Sequence, residues 1–436
     1  MLNLEELLAK AAKVSDEAEV FCVTSNETPV HFEANRLKHI QRKEEYFIAL
    51  RLIKDGRLGY AVSTMAGRAD ELVEMALETS RFGQEALFEL PLQTSMPQTD
   101  IYDANVGQVP LEKMVKLGRN MIEQVRAFND DIICDASVRK TVTTTSLANS
   151  KGFNSVYKSS AFGFGIEGTL IRGTDMLFAG DSSVSSNLLT DSESVINTTL
   201  KQFTYAKETA PITTKAMPVI FTPFGVASAF MPALMAAFNG KLVLEGASPV
   251  GNKLGQQVFH QSLSLIDDPL VAFNPASSPF DDEGIPCRQT PLIINGVISN
   301  FLYDLKTAAQ AKRQSTGSGR RGGGSPPSPS PSCFVVGKGR TSFDEMVADV
   351  KEGLVVEYLM GAEQGNVLGG DFSGNVLLGY KIDNGKISGR VKNTMVSGNI
   401  YAILKDTIAI GSDSRRVDSS LITPSIYCPT LSVASK

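Results

Sequence analysis

Histidine is scarce in this chain of 436 residues: there are three, His31, His39 and His260, and no HExxH or HExxxH pairing. A hydrolytic zinc site needs about three nitrogen, sulfur or carboxylate ligands and a base beside the bound water. No such cluster is spelled out, and each lone histidine reads as a packed or surface residue. Cysteine is sparse too. The five cysteines, Cys22, Cys134, Cys287, Cys333 and Cys428, include no CxxC, which excludes a disulfide framework and points to a reducing, cytoplasmic compartment. No GxSxG elbow supports a serine hydrolase. Excess positive charge is missing as well. With 42 Lys+Arg against 47 Asp+Glu, the net charge is −5, and a nucleic-acid partner, which would call for a basic stripe, is not expected. A membrane partner is not expected either. Leu2, Leu4, Leu7, Leu8 and Ala11 alternate with charges as in an amphipathic helix, not a signal peptide. The charge-free stretch 216–240 is interrupted by Pro218, Pro223 and Pro232 and reads as a strand followed by a core helix.

What is present is a soluble, globular composition, 42% hydrophobic and 20% charged, long enough for two or three domains. Strand-like runs occupy 18–23, 28–33, 46–53 and 58–62, the last two joined by an Asp55-Gly56 turn. Helices are expected over 67–81 and 110–128, the second with Pro110 in its first turn. The pattern then recurs, with strands in 131–140, 141–148, 154–158, 160–172 and 175–183 and a helix near 192–205. It amounts to a weak internal duplication. Beyond a crossing at 207–216 strands dominate, with Asn295-Gly296 and Asp383–Lys386 hairpins and short helices near 224–239, 342–350 and 399–405. The fold class is therefore α+β. An N-terminal domain (1–206) of antiparallel strands plus helices precedes a mainly antiparallel β domain (207–436), either a sheet or a barrel with helices at its edge.

Several motifs fail on context. Gly163-Phe-Gly-Ile-Glu-Gly168 matches GxGxxG but is followed by more strand, where a dinucleotide site needs a helix. Ser137–Lys140 and Ser155–Lys158 match SxxK in strands, where residues three apart face opposite ways. The Gly-rich stretch 317–324 lacks the P-loop lysine. On composition 317–332 is a flexible linker; the alternative is a backbone-lined groove edge, with Arg320 and Arg321 meeting a peptide carboxylate or a partner. Asp281-Asp282-Glu283 is too compact for a calcium or magnesium cage and reads as a solvated turn before the 290–299 hairpin.

The order of several segments resembles the TldD/PmbA family. They are Asn35-Arg-Leu37, Ile53–Ala61, Ser278–Asp304 with Ser315–Ser332, Asp344–Gly361 and Lys405–Asp413. That family pairs a metallopeptidase carrying HExxxH with a paralogue lacking it. A gap-free count back from Ser248–Val258 puts the first histidine on Met231, the glutamate on Pro232 and the second histidine on Ala236. The cysteine expected after Asp413 is missing from 414–420. The resemblance is thus to the PmbA/TldE-like branch. It implies a non-catalytic subunit with no cofactor of its own. Its partner would be a zinc-bearing TldD-like paralogue, or a second copy of itself, around a cleft for unfolded peptide. Asp281, Asp282, Glu283, Arg288, Arg320, Arg321 and Gly322 are the groove candidates. An active peptidase using Asp281, Asp282, Glu283 and His260, and a stand-alone homodimeric peptide-binding scaffold, are the alternatives.

Overall fold

The structure, a computed structural model, describes residues 4–65, 67–322 and 324–435. Helix α1 (Leu4–Ala12) leads into β1 (Glu17–Glu33), β2 (Arg36–Ile40), β3 (Lys43–Lys54) and β4 (Arg57–Ser63), followed by α2 (Ala69–Ser80). After α3 (Ala104–Gln108) and α4 (Leu111–Phe128) come β5 (Ile133–Asn149), β6 (Asn154–Arg172) and β7 (Asp175–Ser185), then α5 (Glu193–Tyr205). These strands form one sheet in the order β4-β3-β1-β5-β6-β7, with β2 paired to β1. Two meanders, each followed by a helix, therefore meet edge to edge at β1 and β5, giving the repeated pattern its structural counterpart.

Runs expected as separate strands turn out to be continuous. β1 and β5 each have 17 residues and β6 has 19. The reason is tertiary: Thr24, Ser25 and Asn26 face Thr144, Thr143 and Val142 across an unbroken ladder. A paired neighbour supplies the backbone hydrogen bonds that a polar stretch on its own would not predict. Pro110 is the N-cap of α4, with extended backbone, one position before the helix. The expected hairpins do form. Asp55-Gly56, Asn295-Gly296 and Asn384-Gly385 all adopt positive φ, as tight two-residue turns between twisted strands require.

Helices divide the sheet into two halves. Leu7 and Ala11 of α1 and Leu72 and Ala76 of α2 cover Val20, Ile48, Leu50 and Leu52. Met121, Ile122 and Val125 of α4 and Ile196 and Phe203 of α5 cover Phe162, Phe164 and Ile166. Gly118 lets α4 descend onto the sheet, since a Cβ there would lie 2.2 Å from the Phe32 ring.

The chain continues with β8 (Lys215–Phe221), α6 (Pro223–Phe238), α7 (Gly240–Leu244), β9 (Leu265–Asp267), β10 (Thr290–Ile294), β11 (Val297–Ile298) and α8 (Leu305–Gln310). It then forms β12 (Gly319–Arg320), β13 (Ser328–Pro329), β14 (Phe334–Val336), α9 (Phe343–Asp349), β15 (Glu352–Met360), β16 (Asp371–Asp383) and β17 (Lys386–Arg390). Last come β18 (Thr394–Asn399), α10 (Ile400–Lys405), β19 (Ala409–Ile410), β20 (Arg415–Val417), β21 (Leu421–Thr423) and β22 (Ile426–Ser435). Strands β15, β8, β22, β18 and β16 close into a ring, because β16 pairs with β18 at one end and with β15 along the rest. The class is α+β, as expected. The β8–β15 and β14–β21 pairs are parallel exceptions.

Period-2 alternation makes β8 and β15 two-faced. Val219, Phe221, Leu354 and Val356 pack with α6 and with Leu292, Ile293 and Phe334 of the second sheet. Ile220 and Val355 point the other way, into the core of α4 and α5. The charge-free stretch 216–240 is thus a barrel strand plus a helix held between sheets. Among the described residues no helix is long and apolar enough to cross a membrane.

Candidate functional site

Phe280 fixes the acidic turn. It is 1% exposed and meets the rings of Phe153 and Tyr157 at 5.6 and 5.1 Å, which anchors 281–283 on the N-terminal sheet. Asp281 and Glu283 are fully buried, so the solvated-turn expectation is wrong. The turn is stapled from within. Asp281 Oδ1 accepts the amides of Glu283 and Ile285 at 3.0 and 2.9 Å, and its Oδ2 accepts the Gly319 amide at 2.9 Å. Gly284 takes φ +83° to turn the chain back.

Two strands of the sheet present the complementary charges. Glu19 on β1 and Arg51 on β3 are cross-strand partners. Arg51 donates to Glu19 Oε2 at 2.9 Å and to Glu283 Oε1 at 2.5 Å, while Arg321 donates to Glu19 Oε1. The Leu305 amide donates to Glu283 Oε2 at 2.7 Å, and the Arg321 amide to Asp282 Oδ2 at 2.7 Å. Arg320 donates to Ser278 and Ser332 at 3.0 and 2.6 Å. Burial, the largest influence, pushes Asp281 up to about 6. Burial also pushes Glu283 up to about 8, with Asp281 and Asp304 adding to the rise and Arg51 opposing it. The sequence did carry a signal for Glu19 and Arg51, since each is a single charge inside an apolar strand run.

The linker expectation for 317–332 also fails. Ser315, Thr316, Ser318 and Ser332 are buried, β12 pairs with β13, and Tyr60 Oη donates to the Ser325 carbonyl at 2.9 Å. Buried amides and carbonyls find partners here, and that holds a Gly/Ser/Pro stretch which composition alone leaves loose. Beneath this hairpin lies a cavity of about 730 Å³ lined by Phe21, Phe47, Tyr157, Asp282, Arg321 and Gly324. Of the groove candidates, the structure brings Asp281, Asp282, Glu283, Arg320 and Arg321 together. Gly322 lies exposed in the same hairpin, and exposed Arg288 donates instead to the Ser315 carbonyl at 2.6 Å. His260 is elsewhere, its ring bonded to Ser262, so the set of His260 with these carboxylates is not assembled. His31 and His39 face each other across β1–β2, ring centroids 4.9 Å apart.

Two family models match. The PmbA/TldA metallopeptidase C-terminal domain covers residues 214–435, just over half of the chain, and PmbA/TldA metallopeptidase domain 1 covers 18–80. The chain belongs to the PmbA/TldD metallopeptidase family. An uncharacterized protein of Methanocaldococcus jannaschii is 28% identical over 98% of both chains. A metalloprotease of Methanothermobacter thermautotrophicus is 24% identical over 91% of this chain and 88% of its own. The crystal structure of TldE from Thermococcus kodakarensis shares the fold, with TM-score 0.90 and 22% identity over 99% of this chain and all of the other.

Zinc is the metal a peptidase of this family implies, and α6 does not fit it. Met231 is buried, Pro232 sits inside the helix and Ala236 is half-buried. Thioether, ring and methyl groups offer no adequate zinc donor and no base. Among the described residues no group of three or more His, Cys, Asp or Glu is placed to hold a metal ion.

Proposed function

We propose that this chain is a non-catalytic, peptide-holding subunit that works with a zinc-bearing HExxxH paralogue of the same family in cleaving unfolded peptides. The observation that carries the reading is the chemistry of α6, where Met231, Pro232 and Ala236 stand at the positions expected for two histidines and a glutamate. The groove under the 319–329 hairpin is where this subunit would contact peptide. Its aromatic floor suits apolar side chains, and Asp282 gives it a polar edge, while the Arg321 guanidinium in its wall is already paired with Glu19. An extended peptide there would be held with little sequence preference.

The test is a peptidase assay on an unfolded polypeptide, with metal analysis, on this chain alone and mixed with an HExxxH paralogue. The expected result is no hydrolysis and no stoichiometric zinc for the isolated chain, with hydrolysis and a stable complex on mixing. Hydrolysis with stoichiometric zinc by the isolated chain would overturn the reading. Peptide binding by a homodimer, without complex formation on mixing, would favour the scaffold instead.

A further inference from the structure

A second cavity, of about 300 Å³, lies where α5, the start of α6 and the start of α9 converge on the barrel. Its walls include the rings of Tyr205, Phe224, Phe343 and Tyr380. Two of its charged residues are already engaged. Arg415 donates to both carboxylate oxygens of Asp181 at 2.8 and 3.0 Å and lies 4.6 Å over Phe224. Asp413 accepts the Ser425 amide and hydroxyl at 3.0 and 2.6 Å.

Three other groups are not. Glu357, 8% exposed, accepts from Gln202 Nε2 at 3.0 Å; burial pushes its carboxyl up, opposed by Gln202, Thr222 and the Arg415 guanidinium, but no cation lies at ion-pair distance among the described residues. Lys201, exposed on α5, rests over the rings of Tyr205 and Phe343 at 5.3 and 5.6 Å, with no carboxylate partner among the described residues. Tyr380 is 1% exposed and its hydroxyl has no hydrogen-bond partner among the described residues. A buried phenol left in this state loses a hydrogen bond it would have in water. One cavity thus presents a buried carboxyl and an exposed ammonium that each lack an ion-pair partner and do not pair with each other, and an orphan hydroxyl, between aromatic walls. We infer that this is a binding site for a zwitterion of free amino-acid size with an apolar or aromatic side chain. Glu357 would take the ligand's ammonium, Lys201 and the Tyr380 hydroxyl would take its carboxylate, and the rings would enclose its side chain. The inference does not depend on the peptidase reading.

The test is equilibrium binding to the full chain of three probes: phenylalanine, its carboxamide and its N-acetyl derivative. Saturable binding of phenylalanine is expected, with each blocked probe at least about tenfold weaker, the usual worth of a lost charged hydrogen bond. Lys201→Met should abolish discrimination against the carboxamide while keeping that against the N-acetyl form. Glu357→Gln should do the reverse, and Tyr380→Phe should weaken phenylalanine with the ring retained. If burial makes Glu357→Gln unstable, the exposed Lys201 variant still decides. No saturation by phenylalanine at millimolar concentration, or equal binding of all three probes, would overturn the inference.

Discussion

Arg51 shows how a single side chain joins distant parts of the chain. It is 5% exposed, bridges Glu19 and Glu283, and lies 5.3 Å from the Phe88 ring centroid. Arg321 mirrors it, with Glu19 as its anion and Phe21 and Tyr60 beneath its guanidinium at 5.1 and 5.6 Å. Taking these charges out of water is costly, and the pairing offsets that cost only while every partner is in place. Removing Arg51 leaves the Glu19 and Glu283 carboxyls buried without the donor they share. Arg51→Ala should therefore destabilise the protein by about 3–5 kcal/mol, read from denaturant midpoints. A change under about 1 kcal/mol, the value typical of an exposed pair, would show that the cluster is solvated.

At the scale of elements, the edges of the N-terminal sheet explain how the two parts fit. β7 ends the sheet and would expose unpaired backbone groups, a site for unwanted pairing. Side chains cap it instead. Arg390 donates to the Met176 carbonyl at 2.9 Å, Tyr358 to the Gly180 carbonyl at 3.3 Å and Arg416 to the Val184 carbonyl at 3.2 Å, while Gln202 accepts the Gly180 amide at 2.8 Å. The β12–β13 hairpin is similarly tied down at its base. Trypsin sites at Arg320 and Arg321 should thus resist cleavage in the native chain, because their side chains are only 19% and 1% exposed. Mass spectrometry of a limited digest checks this. Early cleavage at either position would restore the linker reading of 317–332.

The molecule as a whole is held by shared cores and by carboxyls that acidity should favour. Residues of α4, α5 and both β structures meet in one cluster that includes Phe162, Ile196, Val355 and Tyr380. Against this background, Glu283 is pushed up to about 8 chiefly by burial. A carboxyl whose pKa is raised on folding holds more protons in the native state than in the unfolded one. Its contribution is therefore complete below its ordinary range near 4.5 and is lost as pH rises toward about 8. Asp267 and Asp281, each pushed up to about 6, act in the same direction over a narrower window. Unfolding midpoints of the native chain and Glu283→Gln should lie closest in acid, with the native chain losing ground steadily up to about pH 8. Parallel pH profiles would reject the assignment.

Much was legible in the residues themselves. Helices expected over 67–81, 110–128 and 192–205, a core helix near 224–239, and the three tight hairpins at Asp-Gly and Asn-Gly all formed, because their signals depend on near neighbours. Once the family resemblance placed the motif on Met231, Pro232 and Ala236, the want of metal donors there followed from side-chain chemistry. What only the tertiary structure decided was who faces whom. Polar runs became continuous strands because a neighbour paired with them. The Asp281–Glu283 turn and the 317–332 stretch looked hydrophilic and loose, yet are ordered by Glu19, Arg51 and Phe153 from elsewhere in the chain. Composition records how readily a residue leaves water. Only the folded chain can supply the distant partner that lets it do so.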